Sequence, residues 1–288
     1  MMSAVLKLVQ GSPEWHDYRQ TMRNASESAA VLGISPWVTP YGLWLIKTGR
    51  SKQEVTPPMQ HGTKLEPEAR AAYETHTGQI MNPLVLMDGA YSASLDGINL
   101  AGDLIVEIKC PFRGKEAPLW KEAREGRIPC HYNAQVQHQL MVSGASTAHF
   151  WCYAEGEGVL ITVRRDEEVM SLIRDAWDDF QQYLDTDSPP PLTDADSQQR
   201  EDVAWSQAAQ AYLEAKRQAD TADERLEAAR KALVGLLRHP RESGAGVNVV
   251  KLWKAGNVDY KAIPQLKGVN LDRYRGKGRE EVRVSVVK

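Results

Sequence analysis

Two carboxylates and a lysine are the residues of this chain most able to do chemistry together. Asp96 lies in the segment Ser-Leu-Asp-Gly, and Glu107, Ile108 and Lys109 follow a short distance on. Carboxylate oxygens are hard donors. Mg²⁺ is a hard cation that takes oxygen ligands and keeps waters for a phosphate to displace. Asp96 and Glu107 can supply two ligands, and the Ile108 carbonyl a third. A cation held there would polarise a phosphodiester and lower the pKa of a bound water. The Lys109 ammonium can orient that water or neutralise charge growing on the phosphate. An E-x-K triplet alone is most often the solvated face of a half-buried strand, and Asp96 in its own segment is equally ordinary turn chemistry. The surrounding elements decide between these readings.

Residues 104–110 read LIVEIKC and should form a strand ended by Pro111. Its pleat puts Glu107 and Lys109 on one face and Val106 and Ile108 on the other. Residues 82–94 alternate and hold β formers, which predicts a preceding strand, and Ala-Gly-Asp at 101–103 predicts a turn. Asp96 is thus expected in the connection between two strands. Ser12-Pro13-Glu14 is a helix start, with a cap, a proline in the first turn and an acid near the positive dipole end. That helix should cover about residues 13–22. Short helices are expected at 26–32 and 40–48, stopped by Gly33 and Gly49. A helix at 61–75 carries Glu66, with Leu65, Ala69, Ala72 and Tyr73 on one face. Downstream the pattern predicts helices at 120–125 and 132–142 and strands at 148–154 and 159–164. An amphipathic helix should follow at 166–184. The class is α/β.

Ser188-Pro-Pro-Pro-Leu reads as a linker between a domain at 1–187 and an appendage at 192–288. In the appendage, Trp205, Ala208, Tyr212, Ala215, Ala219, Ala222, Leu226, Ala229, Leu233 and Leu236 recur at alternating spacings of three and four. That is a heptad pattern. Its many alanines suit a helical hairpin or a long helix, close-packed on itself or on another subunit, followed by a small β-rich element. The segments VNVVKLW and EVRVSVV beyond it are strand-like. Residues 251–288 hold ten Lys+Arg against four Asp+Glu, a surplus of six positive charges that could meet phosphates, within a chain of net charge −3. Charged residues are 25% of the chain and apolar ones 42%, an ordinary globular composition. No apolar run reaches the roughly 18 residues of a membrane helix, and the first apolar stretch is too short for a secretory signal. Cys110, Cys130 and Cys152 form no CxxC pair, as expected of a reducing cytoplasm without structural zinc. His61, His131 and His138 show no His-Glu-x-x-His spacing, and the chain has no Walker A or GxGxxG segment.

Five pieces taken in order resemble the PD-(D/E)xK nuclease superfamily, in its lambda-exonuclease or YqaJ-type viral recombinase branch. They are EWHDYR with a serine behind it (Arg19, Ser26), HGTKLEPEAR (Glu66), SLDG (Ser94, Asp96), EIKCP (Glu107, Lys109) and YNAQVQHQLMVSG (Gln135). The resemblance covers about residues 10–185. Leu95 stands where the superfamily name implies proline, at a position that supplies no ligand.

The resemblance implies a central mixed β-sheet flanked by helices, with a C-terminal helical and small β appendage. It implies that Asp96, Glu107 and the Ile108 carbonyl hold a first metal. Glu66 would reach a second directly or through water, and Gln135 would touch the nucleophile region or a metal-bound water. Lys109 would act in catalysis. Arg19, Ser26 and Ser94 would bind a terminal 5′-phosphate. The cofactor implied is Mg²⁺, one or two ions per site, with Mn²⁺ substituting. The activity implied is a 5′-to-3′ exonuclease on linear double-stranded DNA, releasing 5′-mononucleotides and leaving 3′ overhangs for phage-type recombination. A homotrimeric ring, a single-strand annealing partner and a bacterial cytoplasm with phage or prophage origin go with it; no membrane is implied. A structure-specific or restriction-like endonuclease is the alternative, and a DNA-binding or assembly protein with a decayed site is a third reading. Asp103 is expected to be turn chemistry; His138 and Tyr132 could line the cleft but are expected to pack in core or surface; Trp15 and Trp37 could stack against bases but are expected to fill core positions of amphipathic helices.

Overall fold

The computed structural model describes residues 3–52 and 54–253, with positions 263, 264 and 269. The chain divides into two compact units, Met1–Ser197 and Gln198–Lys288.

The first unit runs β1 (Ala4–Leu6), α1 (Pro13–Thr21), β2 (Arg23–Asn24), α2 (Ser28–Val31), α3 (Pro40–Lys47) and α4 (Pro57–Thr77). It continues with β3 (Asn82–Asp88), β4 (Tyr91–Ile98), β5 (Leu104–Lys109), α5 (Pro118–Arg124), α6 (Cys130–Ser143), β6 (Thr147–Ala154), β7 (Glu157–Arg164) and α7 (Glu167–Asp185). Local chemistry sets many of the ends. The Ser12 hydroxyl accepts the Trp15 N–H at the start of α1, Thr39 accepts the Gly42 N–H at α3, and Asp166 accepts two N–H groups at α7. Both α4 and α6 stop on a left-handed glycine, Gly78 and Gly144.

The strands form one mixed sheet in the order β1-β3-β4-β5-β6-β7, with β2 added in parallel to β4. The β5–β6 pair is parallel, and the remaining neighbours are antiparallel. β4 divides its pairing: Tyr91 and Ser92 face β2, whereas only Gly97 and Ile98 pair with β5. Between those ends β4 and β5 part.

Helices cover both faces of the sheet. On one, Val136 and Leu140 of α6 and Trp120 of α5 pack with Leu95, Ile105 and Phe150. On the other, Ala69 and Tyr73 of α4 pack with Val106, Ile108, Trp151 and Tyr153. The Trp151 indole donates to the Ala69 carbonyl at 3.0 Å and so ties α4 to the sheet. A third cluster joins Leu43 and Trp44 of α3 to Trp177 and Phe180 of α7.

Several expectations change. The strand expected at 82–94 is a hairpin, β3 and β4, turned through Gly89 at φ 59°. Asp96 therefore lies inside β4 and not in a connection, because the alternating pattern resumes after the turn and runs on to Ile98. α4 begins before residue 61 and carries Pro67 in its interior. Pro190 is buried and Asp196 accepts a hydrogen bond from Thr39, so the segment after α7 belongs to the first unit.

In the second unit, α8 (Val203–Gly235) is one continuous helix with no buried residue among its 33, the long helix of the two forms expected there. β8 (Arg241–Gly244) and β9 (Val247–Val250) form a hairpin turned through Ala245 and Gly246, both at positive φ. The EVRVSVV segment and most of the basic stretch at 251–288 lie outside the described residues.

Candidate active site

β5 presents its residues as its pleat requires. Val106 and Ile108 enter the α4 face, while Glu107 and Lys109 point toward α6. Glu107 is 1% exposed. A buried carboxylate needs donors, and α6 supplies them from one helix face, four residues apart. Gln135 Nε2 donates to Glu107 Oε1 at 2.7 Å, and Gln139 Nε2 donates to Oε2 at 2.6 Å. The Lys109 ammonium pairs with Glu107 Oε1, donates to Gln135 Oε1 at 3.3 Å and sits 5.0 Å from the Tyr132 ring centroid.

Asp96 meets this strand where β4 and β5 separate. Its Oδ2 accepts the Ile108 N–H at 2.7 Å, taking the place of the ladder bond that a paired strand would have made. Arg70 approaches from α4. Its Nε donates to the Asp96 carbonyl at 2.7 Å, and its Nη2 pairs with Glu66 one turn earlier. Glu66, Asp96, Glu107 and Lys109 thus come together from α4, β4 and β5.

The electrostatics follow from that crowding. Burial, then the charges of Glu107 and Glu66, push the Asp96 carboxyl well above its ordinary range; Lys109 and the Ile108 N–H oppose this. Burial also raises Glu66, with Arg70 pulling it down and Glu107 pushing it up. For Lys109, burial works against the ammonium, yet the Glu107 and Asp96 charges outweigh it and the net shift is upward. Cys110, next on the strand, is pushed up to about 12 by burial and by Asp96 and Glu66, so its thiol stays protonated.

Whether these residues suit a hard cation is a question of donor chemistry. The groups at the centre able to take a hard cation are the carboxylates of Glu66, Asp96 and Glu107 and the Ile108 carbonyl, and burial together with their neighbouring negative charges raises the Asp96 and Glu66 carboxyls. Among the described residues no three His, Cys, Asp or Glu side chains already stand at ligand spacing. Each carboxylate is instead turned to a protein partner: Glu66 to Arg70, Asp96 to the Ile108 N–H, and Glu107 to the two glutamines. In chemistry, the carboxylates of Glu66, Asp96 and Glu107 are the oxygen donors that a hard cation such as Mg²⁺ takes.

A second cluster adjoins the first. Arg19 Nη2 donates to Ser26 Oγ at 2.8 Å, and its guanidinium lies 4.5 Å from the Trp15 ring centroid. Trp15 Nε1 donates to Ser94 Oγ at 3.0 Å. Arg19, Ser26 and Ser94 are therefore joined through Trp15. Glu27 anchors the cluster, pairing with Arg19 at 3.6 Å and with Lys47 at 2.7 Å. Gln139 Nε2, already on Glu107, is also 3.5 Å from the Ser94 carbonyl.

Other candidates separate from the site. Asp103 accepts from Asn99 in the turn before β5. His138 is buried and bonds to Ser28 at 2.7 Å; burial lowers its pKa to about 3. His61 packs edge-on against Phe112. Tyr132 borders the centre through Lys109. Trp15 is half-buried and its helix has no buried residue. Trp37 is 67% exposed, so neither tryptophan fills a core position. Sequence reasoning passed over Arg70 and Gln139, although both lie in quoted motifs. The signal for Gln139 was its spacing of four from Gln135 on one helix face.

Comparison with known proteins gives a consistent placement. Residues 14–146 match the family model of the YqaJ-like viral recombinase domain. The uncharacterized protein YqaJ of Bacillus subtilis (strain 168) is 28% identical over 177 residues, which is 58% of this chain and 54% of that protein. The chain thus spans about half the length of this curated relative. The alkaline exonuclease LHK-Exo from Laribacter hongkongensis superposes with a TM-score of 0.53 at 26% identity, over 61% of this chain and 94% of that one. LHK-Exo in complex with dAMP gives 0.52 at 26% over the same shares. The matched segment holds Arg19, Glu66, Asp96, Glu107, Lys109 and Gln135, and the sheet and its flanking helices have the PD-(D/E)xK-like architecture of the alkaline exonuclease.

Proposed function

We propose that the chain is a Mg²⁺-dependent DNA exonuclease that digests one strand of linear duplex from its 5′ end. It releases 5′-mononucleotides and leaves a 3′ overhang for recombination. The observation that carries this reading is the convergence of Asp96, Glu107 and Lys109 where β4 parts from β5, with Glu66 on the overlying helix. Similarity to an alkaline exonuclease and to its dAMP complex supports the substrate class.

Asp96, Glu107 and the Ile108 carbonyl would hold one Mg²⁺, with Glu66 serving a second. Bound there, Mg²⁺ supplies Lewis acidity toward the phosphate and a more acidic water. The rest falls to the chain's own residues. Lys109 stays an ammonium at working pH, because its pKa is raised; it acts as a fixed positive charge beside the scissile phosphate and not as a base. Gln135 bridges Lys109 and Glu107 and holds both in register. Gln139 fixes the other Glu107 oxygen. Arg19 offers a guanidinium fork to a terminal 5′-phosphate, with Ser26 and Ser94 adding hydroxyl donors. Glu27 holds that fork in place. Assembly into a ring of three copies and delivery of the overhang to a single-strand annealing protein complete the reading.

The test is digestion of linear duplex labelled separately at its 5′ and 3′ ends, with Mg²⁺ and with EDTA, beside covalently closed circles. Early release of the 5′ label as mononucleotide, only with Mg²⁺ and only from linear DNA, is expected. Early release of the 3′ label refutes the polarity. Cleavage of intact circles means an endonuclease. No release, with Glu107→Gln equal to the native chain, means a site without catalysis.

A further inference from the structure

The loop between α2 and α3 carries an indole that the fold leaves bare. Trp37 is 67% exposed. Trp is normally well buried because of its apolar area. Nor does the loop hold it loosely. Ser35 Oγ accepts the N–H groups of both Trp37 and Val38 at 3.2 Å, and Thr39 beyond them caps α3 through Gly42 at 2.9 Å. The indole meets the His131 ring almost perpendicularly, with centroids 4.9 Å apart, and the Tyr132 ring at 5.8 Å. Tyr132 rests on Phe150 of the core and carries the Lys109 ammonium 5.0 Å from its centroid.

A row of aromatic rings thus runs from solvent to the lysine of the centre. Tyr132 lies between Trp37 and Lys109, 5.8 Å from the one and 5.0 Å from the other, so the two are at most roughly three nucleotides of rise apart along a strand. A rigidly presented aromatic face near a phosphate-handling cation is the arrangement that binds unpaired bases, because every base has a π-face to offer.

We propose that Trp37 is a stacking platform for a nucleobase next to the scissile phosphate of the strand being cut. The inference rests on the nuclease reading and adds to it a substrate-positioning residue on a separate loop. Its recognition is by stacking, so it tolerates any base sequence. His131 and Tyr132 set the plane of the indole and keep it from folding onto the core.

Binding and cutting are measured separately on a 5′-phosphorylated duplex, intact or with one abasic residue among the first three nucleotides of the cut strand. Binding is read by fluorescence anisotropy with Ca²⁺ in place of Mg²⁺, and cutting by nucleotide release with Mg²⁺. Trp37→Ala should weaken binding of the intact duplex roughly 5- to 100-fold, the range expected for loss of one base stack. Trp37→Phe should recover most of it, and the thermal midpoint of both variants should match the native chain. The abasic residue should weaken native binding by a similar factor and cost Trp37→Ala nothing further. If Trp37→Ala binds and cuts as the native chain does, or if the abasic and Trp37→Ala losses multiply, the stacking proposal is overturned while the nuclease reading stands. If the native chain binds DNA with this Trp37 dependence but never cuts it, the nuclease reading fails and the stack survives.

Discussion

Replacing Lys109 with methionine keeps the length of the side chain and removes its charge, which leaves Glu107 buried without its cation. Breaking a fully buried ion pair from one side costs about 3–5 kcal/mol. Two features reduce that here. Lys109 keeps 24% of its side-chain surface, and Glu107 retains the amide donors of Gln135 and Gln139 at 2.7 and 2.6 Å. A loss of about 2–3 kcal/mol is therefore expected without metal, or roughly 4–12 °C in melting temperature for a domain of this size. Mg²⁺ should reverse the deficit, because a cation on Glu107 replaces the missing ammonium. The stabilisation by Mg²⁺ should then be larger in Lys109→Met than in the native chain. Nucleotide release should vanish in the variant while DNA binding persists. Thermal unfolding in EDTA and in Mg²⁺, for both proteins, measures the difference directly. An unchanged melting temperature in EDTA would refute the claim that Lys109 compensates Glu107. A Mg²⁺ shift equal in the two proteins would refute the claim that the cation shares that role.

Arg19→Ala should reduce the preference for a 5′-phosphorylated over a 5′-hydroxyl end by about 10- to 100-fold, the worth of a charge-assisted fork. Arg19→Lys should restore only part of it, as initial rates on the two ends will show. Gly158→Ala places a methyl group against the Trp151 indole, which carries the hydrogen bond to Ala69 of α4. The expected loss is about 2–3 kcal/mol in urea unfolding, with a smaller Mg²⁺ shift because α4 bears Glu66. His138 has a folded pKa near 3, below its unfolded value. Its stabilising contribution is thus complete above the unfolded pKa near 6.5 and is lost as pH falls toward 3, at about 1.4 kcal/mol per pH unit. The native melting temperature should fall more steeply between pH 7 and 5 than that of His138→Asn; parallel curves would exclude His138 as the titrating group.

The sequence alone carried the parts of the site that depend on local periodicity. A strand alternates faces, so Glu107 and Lys109 had to share one, and they do. A capping serine and a proline had to open α1, and Arg19 follows on that helix. The ordered motifs pointed to the family whose model matches residues 14–146. The turn through Gly89 was missed, because an alternating pattern on both sides of a tight turn looks like one strand. Asp96 was accordingly given to a connection when it lies in β4.

What only the tertiary structure decided are the partners that each face meets. Periodicity fixes the direction of a side chain but not what stands opposite. β4 pairs with β2 at its start and with β5 only at its end, and in the gap between these the Asp96 carboxylate takes the Ile108 N–H. Arg70 reaches the Asp96 carbonyl across 26 residues of chain, and Gln139 reaches Glu107 across 32. The sequence offered Trp37 as core or as a base-stacking residue and favoured core, since an apolar residue is expected to be buried until the packing around it is known; the packing leaves it exposed. The sequence determined which residues carry the charges and donors. The packing of α4 and α6 on opposite faces of the sheet decided which of them meet, because those contacts join segments whose local patterns are independent of one another.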